Sequence, residues 1–429
     1  MKLPLTLSFA AAACAAALAV AAPAAAAPAA VLLRNGVIHT QGAKGTIEGG
    51  SVLLVGGRVT AIGRDLAAPA GAEVIDLKGR PVTPALFGGV GLLGVSEVSG
   101  EPSTNDGALK LGQMRPEFDP ALAFNPDSMP VGVARVEGVG FTLLAPDAAA
   151  GRRGGPGSSI IAGVASVARL DGRRPRAPVA LAVSVGYEAE ALAGESRAAA
   201  YMLFAQALEE ARGPAAPASF EQRLLTPAGR RVLKSFVAEQ KPVVFEVDRA
   251  ADIRTAVEFA EREKLKAVVL GGAEAWRVAA LLAHAQVPVV IDPLDDLPEQ
   301  FDQIGATLDN AARLHAAGVT VAFSLRSAEP NDIRKLRQAA GNAVAHGLPW
   351  DVALAAISSV PARVFRAGGE FGSIEVGRPA NLVVWSGDPL EVTSLVDASW
   401  LDGHRQSLRT RQTELRDRYL AKLRAGAAR

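Results

Sequence analysis

The 429 residues carry 45 Lys and Arg against 44 Asp and Glu, and 49% of them are hydrophobic. Balanced charge argues against a nucleic-acid or anionic-membrane surface as the main partner, and the apolar content is ample for a large core. The length allows two or three domains, although a single α/β barrel can absorb about 250 residues or more.

The chain opens with Lys2 and an apolar Ala/Leu run over residues 5–20, then small residues at Ala24-Ala25-Ala26 and Ala25-Ala26-Ala27. Basic start, apolar run and small-residue cleavage site make the secretory pattern. Residues 1–26 are therefore read as a signal peptide, and the mature chain as periplasmic or secreted. The first cleavage site is favoured because the second would leave Pro28 directly after the cut. An uncleaved anchor is the rival, disfavoured because Ala-rich segments insert poorly. Cys14, after Ala11-Ala12-Ala13, lacks the upstream Leu of a lipidation site. It is also the only cysteine, so the mature chain can form no disulfide and must hold together by burial. No later stretch reads as a membrane span.

Residues 28–83 read as short strands. Two apolar segments, 31–38 and 51–62, carry Asn35-Gly36 and Gly56-Gly57, dipeptides that supply positive φ, so both are expected to be hairpins. A second set of strands, 372–376 and 380–385, lies near the C-terminus. Neither set can close a core alone, so 28–83 and 368–407 are expected to meet in one small composite β-sandwich.

Between them the period changes. Strand patterns at 242–247, 267–270, 287–291 and 319–323 alternate with helix patterns at 252–264, 274–284 and 299–317. That alternation predicts right-handed βαβ units and a parallel sheet. With earlier strands at 142–144 and 179–183, residues 84–367 are expected to form a (β/α)8 TIM-type barrel, an α/β fold. A doubly wound open sheet is the alternative. The glycine-rich loop 151–159 lacks the Lys-Ser/Thr ending of a phosphate loop and is read as a connection. Residues 408–429 mix Arg, Glu and Leu at helical spacing and are expected to be a solvated helical tail.

Four phrases together resemble the amidohydrolase superfamily, and within it the imidazolonepropionase-like and exported relatives. Gly79-Arg80-Pro81-Val82-Thr83-Pro84-Ala85-Leu86-Phe87 is similar to the approach to the family's first barrel strand. Asn125-Pro126-Asp127-Ser128, followed by residues 134–139, is similar to a stretch near its second strand, and residues 241–253 to its fifth-strand text. Residues 372–385 with Gly387-Asp388-Pro389 look like its closing signature. The resemblance covers nearly the whole mature chain.

That resemblance implies metal-assisted hydrolysis of carbon–nitrogen bonds, with one or two divalent ions at the C-terminal mouth of the barrel. It also implies where the ligands should stand: a His-x-His on the first strand, histidines ending strands five and six, and an Asp ending strand eight. Here the His-x-His falls at Val90 and Leu92, the strand-five histidine at Glu246, the strand-six histidine at Gly271, and the strand-eight Asp near Arg326. Asp248 stands where a second histidine is common. An arginine stays protonated and cannot be a ligand. The five histidines, His39, His284, His315, His346 and His404, fall away from the strand mouths and are read as packing or surface residues.

Carboxylates remain. Glu246 and Asp248 would share one strand face if the strand extends that far, and Asp292 should lie at the mouth of strand seven. Oxygen ligands alone would suit calcium or magnesium rather than zinc; otherwise these acids are solvated or paired with Arg326. Strands five and eight face one another across a barrel, so Arg326 either pairs with Glu246 or Asp248 in the mouth or points to solvent from a loop. Glu246, Asp248, Asp292 and Arg326 are thus the pocket candidates, and no metal or cofactor is assigned.

Three functions compete. The first is a catalytically degenerate amidohydrolase relative, a pseudoenzyme serving as partner subunit to an active relative or to itself, or as a binder of small amides or peptides. The second is an active hydrolase using Glu246 or Asp248 in unusual chemistry. The third is a generic exported ligand-binding protein.

Overall fold

The computed structural model describes residues 30–111, 114–148, 159–213, 223–326 and 329–427. The expected signal peptide and most of the glycine-rich loop, 151–158, lie outside the described residues. Among the described residues no helix is long and apolar enough to cross a membrane.

The N-terminal part supplies β1 (Ala30–His39), β2 (Thr46–Val55), β3 (Arg58–Gly63), β4 (Glu73–Asp76) and β5 (Pro81–Pro84). Gly56-Gly57 makes the two-residue turn between β2 and β3, with φ of 58° and 80°. Asn35-Gly36 is not a turn. β1 runs through it, with Asn35 at φ 59° and a register shift between Leu33 and Gly36. A positive φ serves a bulge as well as a hairpin, and sequence alone does not separate the two. The bulge lets β1 change partner, from β4 alongside Val31 to Arg34 to β5 alongside Val37 and Ile38. A Cβ on residue 36 would lie 2.5 Å from Leu77, so glycine is required there.

The barrel follows with β6 (Leu86–Gly91), β7 (Val139–Leu144), β8 (Ile161–Arg169), β9 (Ala180–Ser184), β10 (Pro242–Val247), β11 (Lys266–Gly271), β12 (Val289–Ile291) and β13 (Val321–Phe323), each beside the next. Its two end strands meet through a side chain: the Ser324 hydroxyl receives the Val90 N–H at 2.9 Å. One strand departs from the parallel pattern. β8 runs antiparallel to both β7 and β9. The link from β8 to β9 is residues 170–179, shorter than a parallel crossover needs, so the chain turns straight back. The expected helix 299–317 is also broken, into a 3-10 turn at Phe301–Gln303 and a helix at Asn310–Ala316. The break sends Asp302 to Arg197 and Gln303 to Asp248, so buried polar partners override the helical period.

β14 (Leu382–Trp385), β15 (Val396–Leu401) and β16 (His404–Arg405) then return to the first domain, where Val384 pairs with Val82 of β5. The two chain ends form one continuous eight-stranded sheet. β14 serves both cores by strand alternation: Leu382 and Val384 pack with Leu33, Val52 and Val82, while Val383 and Trp385 pack into the barrel's outer core. The helix Arg411–Ala427 stands largely exposed, as a solvated tail should.

Candidate functional site

Alternation along the barrel strands builds the site. Val244, Val268, Val290 and Ala322 point inward and pack with Phe87 and Phe141, closed underneath by Phe365 and Phe371. Two residues further along each strand, the next inward positions are Glu246, Leu270, Asp292 and Ser324. These four face a cavity of about 510 Å³ at the C-terminal mouth of the parallel strands. Val90 and Leu92 from the first strand, Ala145 to Ala148 after β7, and Ala182 to Ser184 of β9 complete much of its wall.

Arg326 occupies one side. Its guanidinium grips Asp248 bidentately, at 3.0 and 2.7 Å, and reaches Asp295 from Nε at 3.1 Å and Nη2 at 2.9 Å. Its backbone N–H donates to Asp292 at 2.8 Å. Burial alone would weaken the guanidinium's hold on its proton, but the charges of Asp248 and Asp295 outweigh it and raise the affinity. Asp295 is shifted upward by burial, with Asp292 and Asp248 adding to the shift and Arg326 offsetting part of it. The pair expected across strands five and eight therefore exists, with Asp248 rather than Glu246 as partner. β10 ends at Val247, so Asp248 leaves the strand face of Glu246. It is buried beside the cavity, where it also accepts from Ala273 N–H at 3.1 Å and Gln303 at 3.2 Å.

Glu246 and Asp292 line the cavity, as do Asp147, Glu329 and Asp332. Asp292 is structurally committed, accepting from Leu294 N–H at 2.9 Å besides Arg326. Glu329 is reached by the Ser99 hydroxyl, and Asp332 pairs with Lys335 at 2.7 Å. Asp147 differs. It is open to the cavity yet crowded by protein, and loss of hydration pushes its carboxyl up to about 6, with no cation among the described residues to oppose it. Sequence reasoning missed Asp147, Asp295, Glu329 and Asp332. For Asp147 the signal was present: it lies three residues beyond the end of the strand recognised at 142–144.

A divalent ion does not fit these residues. Val90 and Leu92 offer no donor, and Ser324 is spent on the Val90 backbone. Gly271 is more telling. Its φ is +97°, and a Cβ there would lie 2.7 Å from Asp248 Oδ1 and 3.4 Å from Arg326 Nη2. A side chain at the strand-six position would have to displace the Asp248 carboxylate that Arg326 holds. Among the described residues, no group of three or more His, Cys, Asp or Glu could hold a metal ion. The five histidines stand outside the cavity wall.

Residues 241–408 match the family model described as the amidohydrolase family. Over 61 residues the chain is 39% identical to Amidohydrolase tasK of Hapsidospora irregularis, a match covering 14% of this chain and 6% of that protein's length. An amidohydrolase from Thermotoga maritima MSB8 has the same fold, with a TM-score of 0.78 and 23% identity over 88% of this chain and 100% of its own. Molinate hydrolase superposes with a TM-score of 0.57 and 14% identity, over 89% of this chain and 95% of its own. At such identities the likeness concerns the fold, and function must be argued from the site.

Proposed function

We propose that this chain, which belongs to the amidohydrolase superfamily, is an exported, metal-free relative that binds a small ligand in the barrel-mouth cavity. One observation carries the reading: the Asp248–Arg326 pair stands where the family's chemistry needs a cation, and Gly271 leaves the room for it. A fixed guanidinium balances buried acids as a cation would, but it cannot accept a water's lone pair and lower its pKa as a metal does. The cavity itself is kept, and its volume of about 510 Å³ lies in the range of small-molecule sites. Export rests on the sequence of residues 1–26, with its basic start, apolar run and small-residue cleavage site.

The test is a thermal-shift screen of the mature protein against small amides and dipeptides, with and without added zinc. Ligands that raise Tm equally in both conditions, and lose their effect in Leu270→Trp, support the reading. A response that needs zinc overturns it.

A second reading, hydrolysis without metal, is favoured by Asp147, whose carboxyl lies near 6 and could take or give a proton near neutral pH. Glu246 could share that work, whereas Asp248 is held by Arg326. Steady amide turnover that disappears in Asp147→Asn, with binding retained, would establish it.

A further inference from the structure

We propose that this chain associates with a second copy of itself, the C-terminal helix of one copy docking on a barrel-mouth loop of the other. The loop is residues 292–305, between β12 and the helix Asn310–Ala316, and the contact is independent of what the cavity holds.

The loop shows apolar side chains to water and is held in place while doing so. Leu294, Leu297, Phe301 and Ile304 are all exposed, Leu297 at 80% and Phe301 at 86%. Single exposed apolar residues are ordinary, but four on one loop mark an interaction surface. The segment is not loose. Asp295 is bonded by Arg326, Asp302 by Arg197 and Gln303 by Asp248, while the Gly305 N–H donates to Glu274 at 2.9 Å. These bonds fix the loop from beneath, so it has little freedom left to lose when a partner covers its apolar side.

The helix Arg411–Ala427 offers the matching face. Tyr419, Leu420 and Leu423 stand at spacings of three and four, which puts them on one side of the helix. All three are exposed, Leu423 at 68%, so in a single copy that side faces water. A helix draws most of its stability from packing an apolar face, and docking on the loop supplies what this one lacks.

Charge selects the partner. Residues 292–305 contain five acids and no Lys or Arg, and of these Asp296 and Glu299 are exposed, with no ion pair among the described residues. The helix is the reverse, with Arg411, Arg416, Arg418, Lys422 and Arg424 against Glu414 and Asp417. Asp417 is taken by Arg416 at 2.8 Å, which leaves Arg418, Lys422 and Arg424, beside the apolar residues, with no acid partner among the described residues. An acidic apolar loop and a basic apolar helix are complementary in both respects, whereas two such loops, or two such helices, repel. The contact is therefore helix to loop, and made reciprocally it occurs twice and closes as a dimer.

The experiment compares the mature chain with two variants at exposed positions: a loop variant, Leu297→Ser with Phe301→Ser, and a helix variant, Leu420→Gln with Leu423→Gln. Sedimentation velocity at high micromolar concentration should show the parent as a dimer that added salt weakens. Each variant alone should be a monomer whose barrel melts as the parent's does. An equimolar mixture of the two should regain a heterodimer, because the intact helix of the loop variant still finds the intact loop of the helix variant. With one contact instead of two, that heterodimer should be about tenfold or more weaker than the parent dimer. A loop variant that still dimerises would show helix–helix pairing, and a helix variant that does so would show loop–loop pairing; either overturns the proposal. So does a parent that stays monomeric, including one that instead binds phosphatidylglycerol vesicles through its helix.

Discussion

At the scale of single residues, Arg326 and Asp147 bear opposite relations to stability. Arg326 neutralises Asp248, whose side chain is 8% exposed, while its own is 26% exposed. Arg326→Ala strands that acid and is expected to cost about 3 kcal/mol, the low end for a broken buried pair because one partner still reaches solvent. Adding Asp248→Asn should recover part of the loss, because the stranded charge is gone. Urea unfolding of the four proteins of this cycle checks it, and strictly additive losses would contradict the pairing. Asp147 works against the fold instead. The folded protein keeps its proton up to about 6, while the ordinary value is 3.8, so between these values the folded state binds more protons than the unfolded chain. Its contribution to stability is best in acid and is lost as pH rises through about 6. Asp147→Asn should therefore raise stability at neutral pH and flatten the stability curve below it. A variant less stable than the parent at neutral pH would show that Asp147 is a structural acid.

At the scale of elements, strand alternation explains why part of the site could be read in advance. The pattern of β12 placed Asp292 at a strand end, because period two and a βα spacing survive in the sequence, whereas Glu246 and Arg326 were picked out by the positions that the family resemblance implies. Asp248 was to share the face of Glu246 only if the strand reached it; β10 ends at Val247, and Asp248 turns instead to Ala273 and Gln303. The antiparallel β8 was not seen at all: its run of Ala, Val and Gly alternates too weakly, and its direction is set by the short 170–179 link. Asn35-Gly36 showed a positive φ without showing a bulge. The strand-six end gives the sharpest element-scale test. Gly271→Ala must adopt φ +97° and push on Asp248, so it should cost about 2 kcal/mol, well above an ordinary surface change. Introduced together with Asp248→Ala, the same substitution should cost less, because the contact at 2.7 Å is removed and only backbone strain remains. Equal costs in both backgrounds would mean that Gly271 does not make room for the pair.

At the scale of the whole molecule, the composite sheet and the barrel share β14, so the two chain ends and the barrel core are tied into one structure. Leu382 and Val384 lie in one core, Val383 and Trp385 in the other, and the Trp385 indole N–H bonds Thr83 at 2.9 Å. That tie holds the barrel in place, with the cavity at its mouth and the Asp248–Arg326 pair beside it. The proposed function turns on the Arg326 guanidinium balancing the buried acids in place of a metal ion. Elemental analysis of the mature protein, purified without chelator from zinc-supplemented medium, tests it most directly. Far less than one zinc, or any other divalent metal, per chain is expected, with a Tm that a chelator leaves unchanged. One tightly held metal per chain, lost on mutating Glu246 or Asp292, would contradict it.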